Sequence, residues 1–117
     1  EADKKGFEYV MSEYLRMSGL YWCLTAMDLL HERDAFDADT IAEWIEQCRC
    51  PDGGFSASPD MDPHMLYTLS AIQVLITLDK LTPEAIDGAV TFIKQQQLPD
   101  GSFQGDKWGE IDTRFSF

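Results

Sequence analysis

Apolar residues recur along this chain at the spacing of one face of an α-helix. Ile41, Trp44, Ile45 and Cys48 stand at i, i+3, i+4 and i+7, and Ile86, Ala89, Val90 and Ile93 repeat the stripe further on. The spacing predicts amphipathic helices over 38–49 and 84–97, each with one dry face and with Glu, Lys and Gln side chains in water on the other. Two more stretches, Leu20 to Leu30 and Met65 to Leu78, are apolar nearly all round. Helices of that kind are buried on most sides, so 65–78 is expected in an inner layer facing a cavity. Start signals accompany the pattern. Asp37 and Thr82-Pro83 precede the two amphipathic helices, Asp62-Pro63 precedes the inner helix at 65, and Asp112 opens a further one.

The alternation is a repeat. Ile45-Glu46-Gln47-Cys48-Arg49-Cys50-Pro51-Asp52-Gly53-Gly54-Phe55 returns 48 residues later as Ile93-Lys94-Gln95-Gln96-Gln97-Leu98-Pro99-Asp100-Gly101-Ser102-Phe103, with six identities in eleven positions. A period of that length suits a pair of helices. Proline presets φ for the Pro-Asp-Gly turn, glycine admits positive φ after it, and the phenylalanine is placed to plug the gap. Carried backwards, the same period lays Arg16 on His64 and Leu30 on Leu78, so residues 16–30 are an earlier inner helix. Each unit, at about 34–79 and 82–117, is an outer helix, a turn and an inner helix, the last of them cut within its first turn. Outer and inner helices that curve one way generate a double ring. With 117/48, or about 2.4, units present, residues 1–117 are read as one incomplete all-α domain, a piece of a larger ring.

Composition narrows the class. The chain is 44% hydrophobic, 26% charged and 12% aromatic, the make-up of a globular domain. It has no run of eighteen apolar residues and no basic segment leading into an apolar core, which predicts neither a membrane span nor a signal peptide, and a cytoplasmic setting. Nine basic residues are scattered among twenty-one acidic ones for a net charge of −12, which excludes a nucleic-acid or anionic-lipid surface. Cys48 and Cys50 have one residue between them, the spacing of neither a zinc knuckle nor a redox pair, and all three cysteines are read as reduced thiols.

The repeated Gln-x-x-x-Pro-Asp-Gly-Gly/Ser-Phe turn, the Asp62-Pro63-His64 opening, the run Trp108-Gly109-Glu110-Ile111-Asp112-Thr113-Arg114-Phe115-Ser116-Phe117 and the stretch Tyr14-Leu15-Arg16-Met17-Ser18-Gly19-Leu20-Tyr21-Trp22 carry a resemblance. Together they resemble the β subunits of protein prenyltransferases, and within that family the branch that geranylgeranylates Rab GTPases. The resemblance implies a partial α6-α6 barrel, a double-ring α/α toroid whose central funnel holds geranylgeranyl diphosphate. It also implies an obligatory prenyltransferase α subunit, and a Rab GTPase substrate brought by a Rab escort protein. One zinc ion per full-length subunit is implied, with its Asp, Cys and His ligands and the diphosphate-binding cluster downstream of Phe117. No catalytic or metal-ligating residue is then expected within 1–117, and this part alone is expected to be inactive.

Site residues follow from the same likeness. Tyr14, Ser18 and Trp22, at i, i+4 and i+8, share a face if their helix extends back that far, and a small serine between two aromatics leaves depth in a pocket wall. In the family the positions matching Ser18 and Leu69 are where bulk shortens the lipid pocket, and Phe117 and Tyr67 are candidates for further wall. His64, Glu110 and Arg114 match residues around the peptide substrate's carboxylate, where an arginine fork can meet a carboxylate. Ordinary core packing for the aromatics, and a structural ion pair of Arg114 with Glu110 and Asp112, remain open alternatives. So do another prenyltransferase β subunit (type I or farnesyl), an isoprenoid cyclase of the same double ring, and a non-catalytic helical-repeat interaction module.

Overall fold

Helix starts are set where a side chain meets the free N–H groups of a first turn. In the computed structural model, which describes residues 6–116, five α-helices follow one another: α1 (Phe7–Met11), α2 (Arg16–Leu29), α3 (Ala38–Gln47), α4 (Met65–Thr77) and α5 (Pro83–Gln96). Asp37 caps α3, its carboxylate accepting from the N–H groups of Asp39 (3.1 Å) and Thr40 (3.4 Å). Thr82 caps α5, accepting from Ala85 N–H at 3.2 Å, with Pro83 at the first helical position. Asp112 opens a 3-10 turn at Thr113–Ser116 by accepting from Arg114 N–H at 2.8 Å. The start of α4 departs from expectation. Its cap is His64, whose Nδ1 accepts from Leu66 N–H at 3.1 Å, and not the Asp62-Pro63 pair. Asp62 is turned to other partners, described below.

No β-strand occurs among the described residues, and isolated bridges such as Arg49 to Phe55 and Gln97 to Phe103 close the repeated turns. Both turns use the same bonds. Gly53 N–H donates to Cys50 O (3.0 Å) and Gly101 N–H to Leu98 O (2.9 Å), with φ of +91° and +89° at the two glycines. The inner helices are clipped alike: Met17 N–H donates to Ala57 O at 3.0 Å, and Met65 N–H to Gly105 O at 2.8 Å. Phe55, fully buried, is the plug, and its N–H donates to Thr68 Oγ1 of α4 at 2.9 Å. The first turn also packs on α5 through bare backbone, because a Cβ placed on Gly53 would lie 2.3 Å from Gly88 O.

The core joins Met17 and Leu24 of α2, Ile45 of α3 with Cys48 just beyond it, Phe55, and Ala71, Val74 and Leu75 of α4. Each large side chain removed from water there contributes about 1.5–3 kcal/mol. Three expectations need correcting. Helix α2 is not buried on most sides, with Trp22 60% and Leu29 76% exposed. Helix α4 is not buried on nearly all sides, since Leu69 is 50% and Ile76 58% exposed. Nor is the stripe on α5 dry, with Ile86, Val90 and Ile93 at 44%, 43% and 37%. For α4 and α5 the cause is the same. Helix α3 is packed by inner helices α2 and α4, but the next inner element is only the Thr113–Ser116 turn, so α5 and the outer edge of α4 lack the second neighbour. Polar side chains of the outer helices stand in water apart from Gln96, which is buried and accepts from Gln104 Nε2 at 3.2 Å. No helix is long and apolar enough to cross a membrane among the described residues.

Cysteine chemistry follows from burial. All three thiols are free; burial, with the neighbouring Cys50 adding, pushes Cys48 up to about 12, while Cys23 is exposed. Near neutral pH a thiol reagent is therefore expected to label Cys23 first and to reach Cys48 only on unfolding. Early labelling of Cys48 under native conditions would mean that α3 opens locally.

Candidate functional site

The entry turns of α2 and α4 and the turn before Thr113 face one another. They enclose a cavity of about 610 Å³ whose lining includes Tyr14, Ser18, Trp22, His64, Tyr67, Glu110 and Arg114. Seven residues singled out in the sequence are thus brought together, although Tyr14 lies in a 3-10 turn (Glu13–Leu15) ahead of α2 rather than in the helix. The Ser18 hydroxyl sits 3.3 Å from that of Ser70 on α4, which keeps this wall thin between two aromatics. Leu69 is not beside Ser18. It lines a second, apolar groove of about 330 Å³ between α4 and α5, with Ile72, Ile86, Val90 and Ile93. Successive residues on a helix point about 100° apart, so Ser70 takes the face toward α2 and Leu69 the next one. Leu66 and Arg114 border both spaces, which meet there. Phe117 lies outside the described residues.

Three polar groups form a short chain. His64 accepts at Nδ1 from Leu66 N–H, so the hydrogen bonds assign its proton to Nε2, which donates to Glu110 Oε2 at 2.8 Å. Arg114 is held chiefly by Asp112, Nε to Oδ1 at 2.9 Å, and only loosely by Glu110 at 3.9 Å. The ion-pair geometry considered for Arg114 is therefore present with Asp112, while Glu110 is engaged by His64. The Arg114 bond holds the Asp112 carboxyl below the usual carboxylate range and the guanidinium above its own. Burial, and then the Glu110 charge, push the Tyr67 phenol up, so it presents a neutral O–H to the cavity.

His64, Asp106 and Glu110 also place potential metal-donor atoms within 4.8 Å of one another. They do not suit the zinc that the resemblance implies. A metal would need the Nε2 lone pair, and freeing it moves the proton to Nδ1, directly against the Leu66 N–H donor. The group also lacks the cysteine thiolate of the implied set.

Sequence reasoning missed Asp62, Asp106 and Gly105 as parts of this site. Asp62-Pro63 signals a helix start locally, but Asp62 precedes an apolar helix that already has a polar residue, His64, at its N-cap.

Residues 2–117 match the prenyltransferase alpha-alpha toroid domain. The chain is 41% identical over its whole length to the geranylgeranyl transferase type-2 subunit beta of Saccharomyces cerevisiae, and spans 37% of that protein. It is 44% identical to the protein of the same name from Candida albicans over 97% of the chain and 37% of the relative. A probable geranylgeranyl transferase type-2 subunit beta from Caenorhabditis elegans is 42% identical over 65% of the chain and 23% of its own length. Helices without strands among the described residues, a repeated helix–turn–helix unit and these matches agree, and the chain belongs to the prenyltransferase alpha-alpha toroid family.

Proposed function

We propose that this chain is part of the β subunit of a type II geranylgeranyltransferase, which moves the geranylgeranyl group from geranylgeranyl diphosphate to C-terminal cysteines of Rab GTPases. The observation that carries the reading is 41% identity to a type-2 β subunit along the whole chain. The cavity supports it. Tyr14, Ser18, Trp22 and Tyr67 offer an isoprenoid a largely aromatic wall, and His64, Glu110 and Arg114 stand beside that wall. With Nε on Asp112, the terminal nitrogens of Arg114 keep donors for the polar end of a peptide tail.

Zinc, when bound by residues outside 1–117, supplies the acceptor cysteine as thiolate. The part described here contributes lipid and tail binding. An α subunit and a Rab escort protein are the proposed partners, and the cytoplasm the proposed setting. The test is reconstitution of the full-length subunit with the α subunit, escort protein and a Rab GTPase. Transfer from geranylgeranyl diphosphate is expected, with farnesyl diphosphate the poorer donor and residues 1–117 alone inactive. No transfer, or preference for the fifteen-carbon lipid, would defeat the reading.

A further inference from the structure

We propose that Asp62 is a positioning residue for the acceptor side of this cavity: it latches the 106–110 turn onto the entry of α4, aims the Trp108 indole across the mouth and helps seat Glu110 against His64. The inference rests on the proposed function for its substrate. Asp62 Oδ1 accepts from Lys107 Nζ at 2.8 Å and Oδ2 from Trp108 Nε1 at 3.1 Å. Those two bonds also hold the Asp62 carboxyl below the usual range, Lys107 first and Trp108 second. Trp108 is 74% exposed and lines the cavity. With so little packed around it, the direction of the ring depends on its N–H bond. Lys107 Nζ lies 4.9 Å from the centroid of that ring.

The stretch 62–65 grips the turn at three more points. His64 donates to Glu110, Met65 N–H donates to Gly105 O at 2.8 Å, and a Cβ on Gly105 would come within 2.5 Å of His64 Nε2. The Met65 bond belongs to the architecture, because Met17 makes it in the previous unit. The latch does not. One period earlier the positions of Asp62 and Trp108 are held by Tyr14 and Asp60, and there the turn is tied to the helix entry by other side chains, Arg16 and Glu13 on Ser58 at 3.2 and 3.3 Å. The Asp62–Trp108 pair is therefore particular to this unit, and it stands where a peptide tail would pass His64, Glu110 and Arg114.

The experiment uses the full-length subunit with its α subunit, and compares Asp62→Ala, Trp108→Phe, their combination, and Asp62→Asn, which keeps an acceptor for the indole. Each single loss is expected to raise KM for the acceptor protein about three- to tenfold, with kcat and the lipid KM near wild type. The double variant should be no worse than the worse single one, and Asp62→Asn should recover most of the loss. Additive losses, or kcat falling together with thermal stability, would overturn the proposal. A second readout needs no turnover. With 5-fluorotryptophan incorporated, the Trp108 fluorine resonance, assigned by its loss in Trp108→Phe, should shift in Asp62→Ala; an unmoved resonance overturns the latch. If wild type transfers no lipid, the proposed function fails while the fluorine measurement still decides the latch.

Discussion

Replacing Gly53 by alanine is expected to destabilise the subunit by about 2–4 kcal/mol, while the same change at Gly101 costs about 1 kcal/mol. The two glycines occupy the same place in the repeated turn and share a positive φ, +91° and +89°, so the conformational penalty is common to both. Packing separates them. A Cβ on Gly53 would meet the Gly88 carbonyl of α5 at 2.3 Å, backbone against backbone, whereas one on Gly101 meets nothing within 4 Å. Backbone cannot rotate away as a side chain can, so turn and helix must part and Phe55 with Phe92 must repack. Denaturant midpoints of the full-length subunit carrying each change give the comparison. Equal losses would show that the Gly53–Gly88 approach carries no energy of its own. The contact also explains a glycine in the middle of α5, where helix propensity alone would disfavour one by about 1 kcal/mol.

Periodicity made much of this legible. Stripes at helical spacing locate α3 and α5, Asp37 and Thr82 mark their starts, and the 48-residue repeat places an inner helix at 16–30 where the structure has α2. What periodicity could not convey is which neighbour is present. Ile86, Val90 and Ile93 form as apolar a stripe as their counterparts on α3, yet they are exposed because burial is a property of two helices and, among the described residues, the second is represented only by the turn Thr113–Ser116. In the site, helical spacing groups Ser18 with Trp22 while Tyr14 joins them from a 3-10 turn, and the family resemblance groups His64 with Glu110 and Arg114. Leu69 went to a different space because one step around a helix changes the face, a matter of angle that family position does not reveal. Asp62 was misread because Asp-Pro signals a helix start locally, and its actual partners lie 45 and 46 residues away.

Ser18→Trp is expected to move lipid selectivity by roughly ten- to a hundredfold toward farnesyl diphosphate. An indole at this position enters the thin wall between Tyr14 and Trp22, where the hydroxyls of Ser18 and Ser70 now lie 3.3 Å apart. Overpacking of that kind costs about 1–3 kcal/mol, and each 1.4 kcal/mol is about tenfold in binding. If Ser18 floors the isoprenoid pocket of the proposed function, the cost falls on the distal isoprene that only the twenty-carbon chain carries, and the shorter lipid escapes it. The polar groups at His64, Glu110 and Arg114 are untouched, and the acceptor KM should hold. The ratio of kcat/KM for the two lipid diphosphates, with wild type and variant reconstituted alike, decides the matter. An unchanged ratio in a well-folded variant would return Ser18 to ordinary packing between α2 and α4.

The backbone clips from Met17 to Ala57 and from Met65 to Gly105 each reach 40 residues downstream. A ribosome adds about 5–20 residues per second, so an inner helix waits about 2–8 s for the carbonyl that holds it. The wait ends with the turn of the next repeat and does not depend on closure of a ring. Units can therefore lock in the order in which they emerge, each leaving an apolar edge for the next to cover. Chain order becomes assembly order, and the growing edge is what must be shielded from other nascent chains.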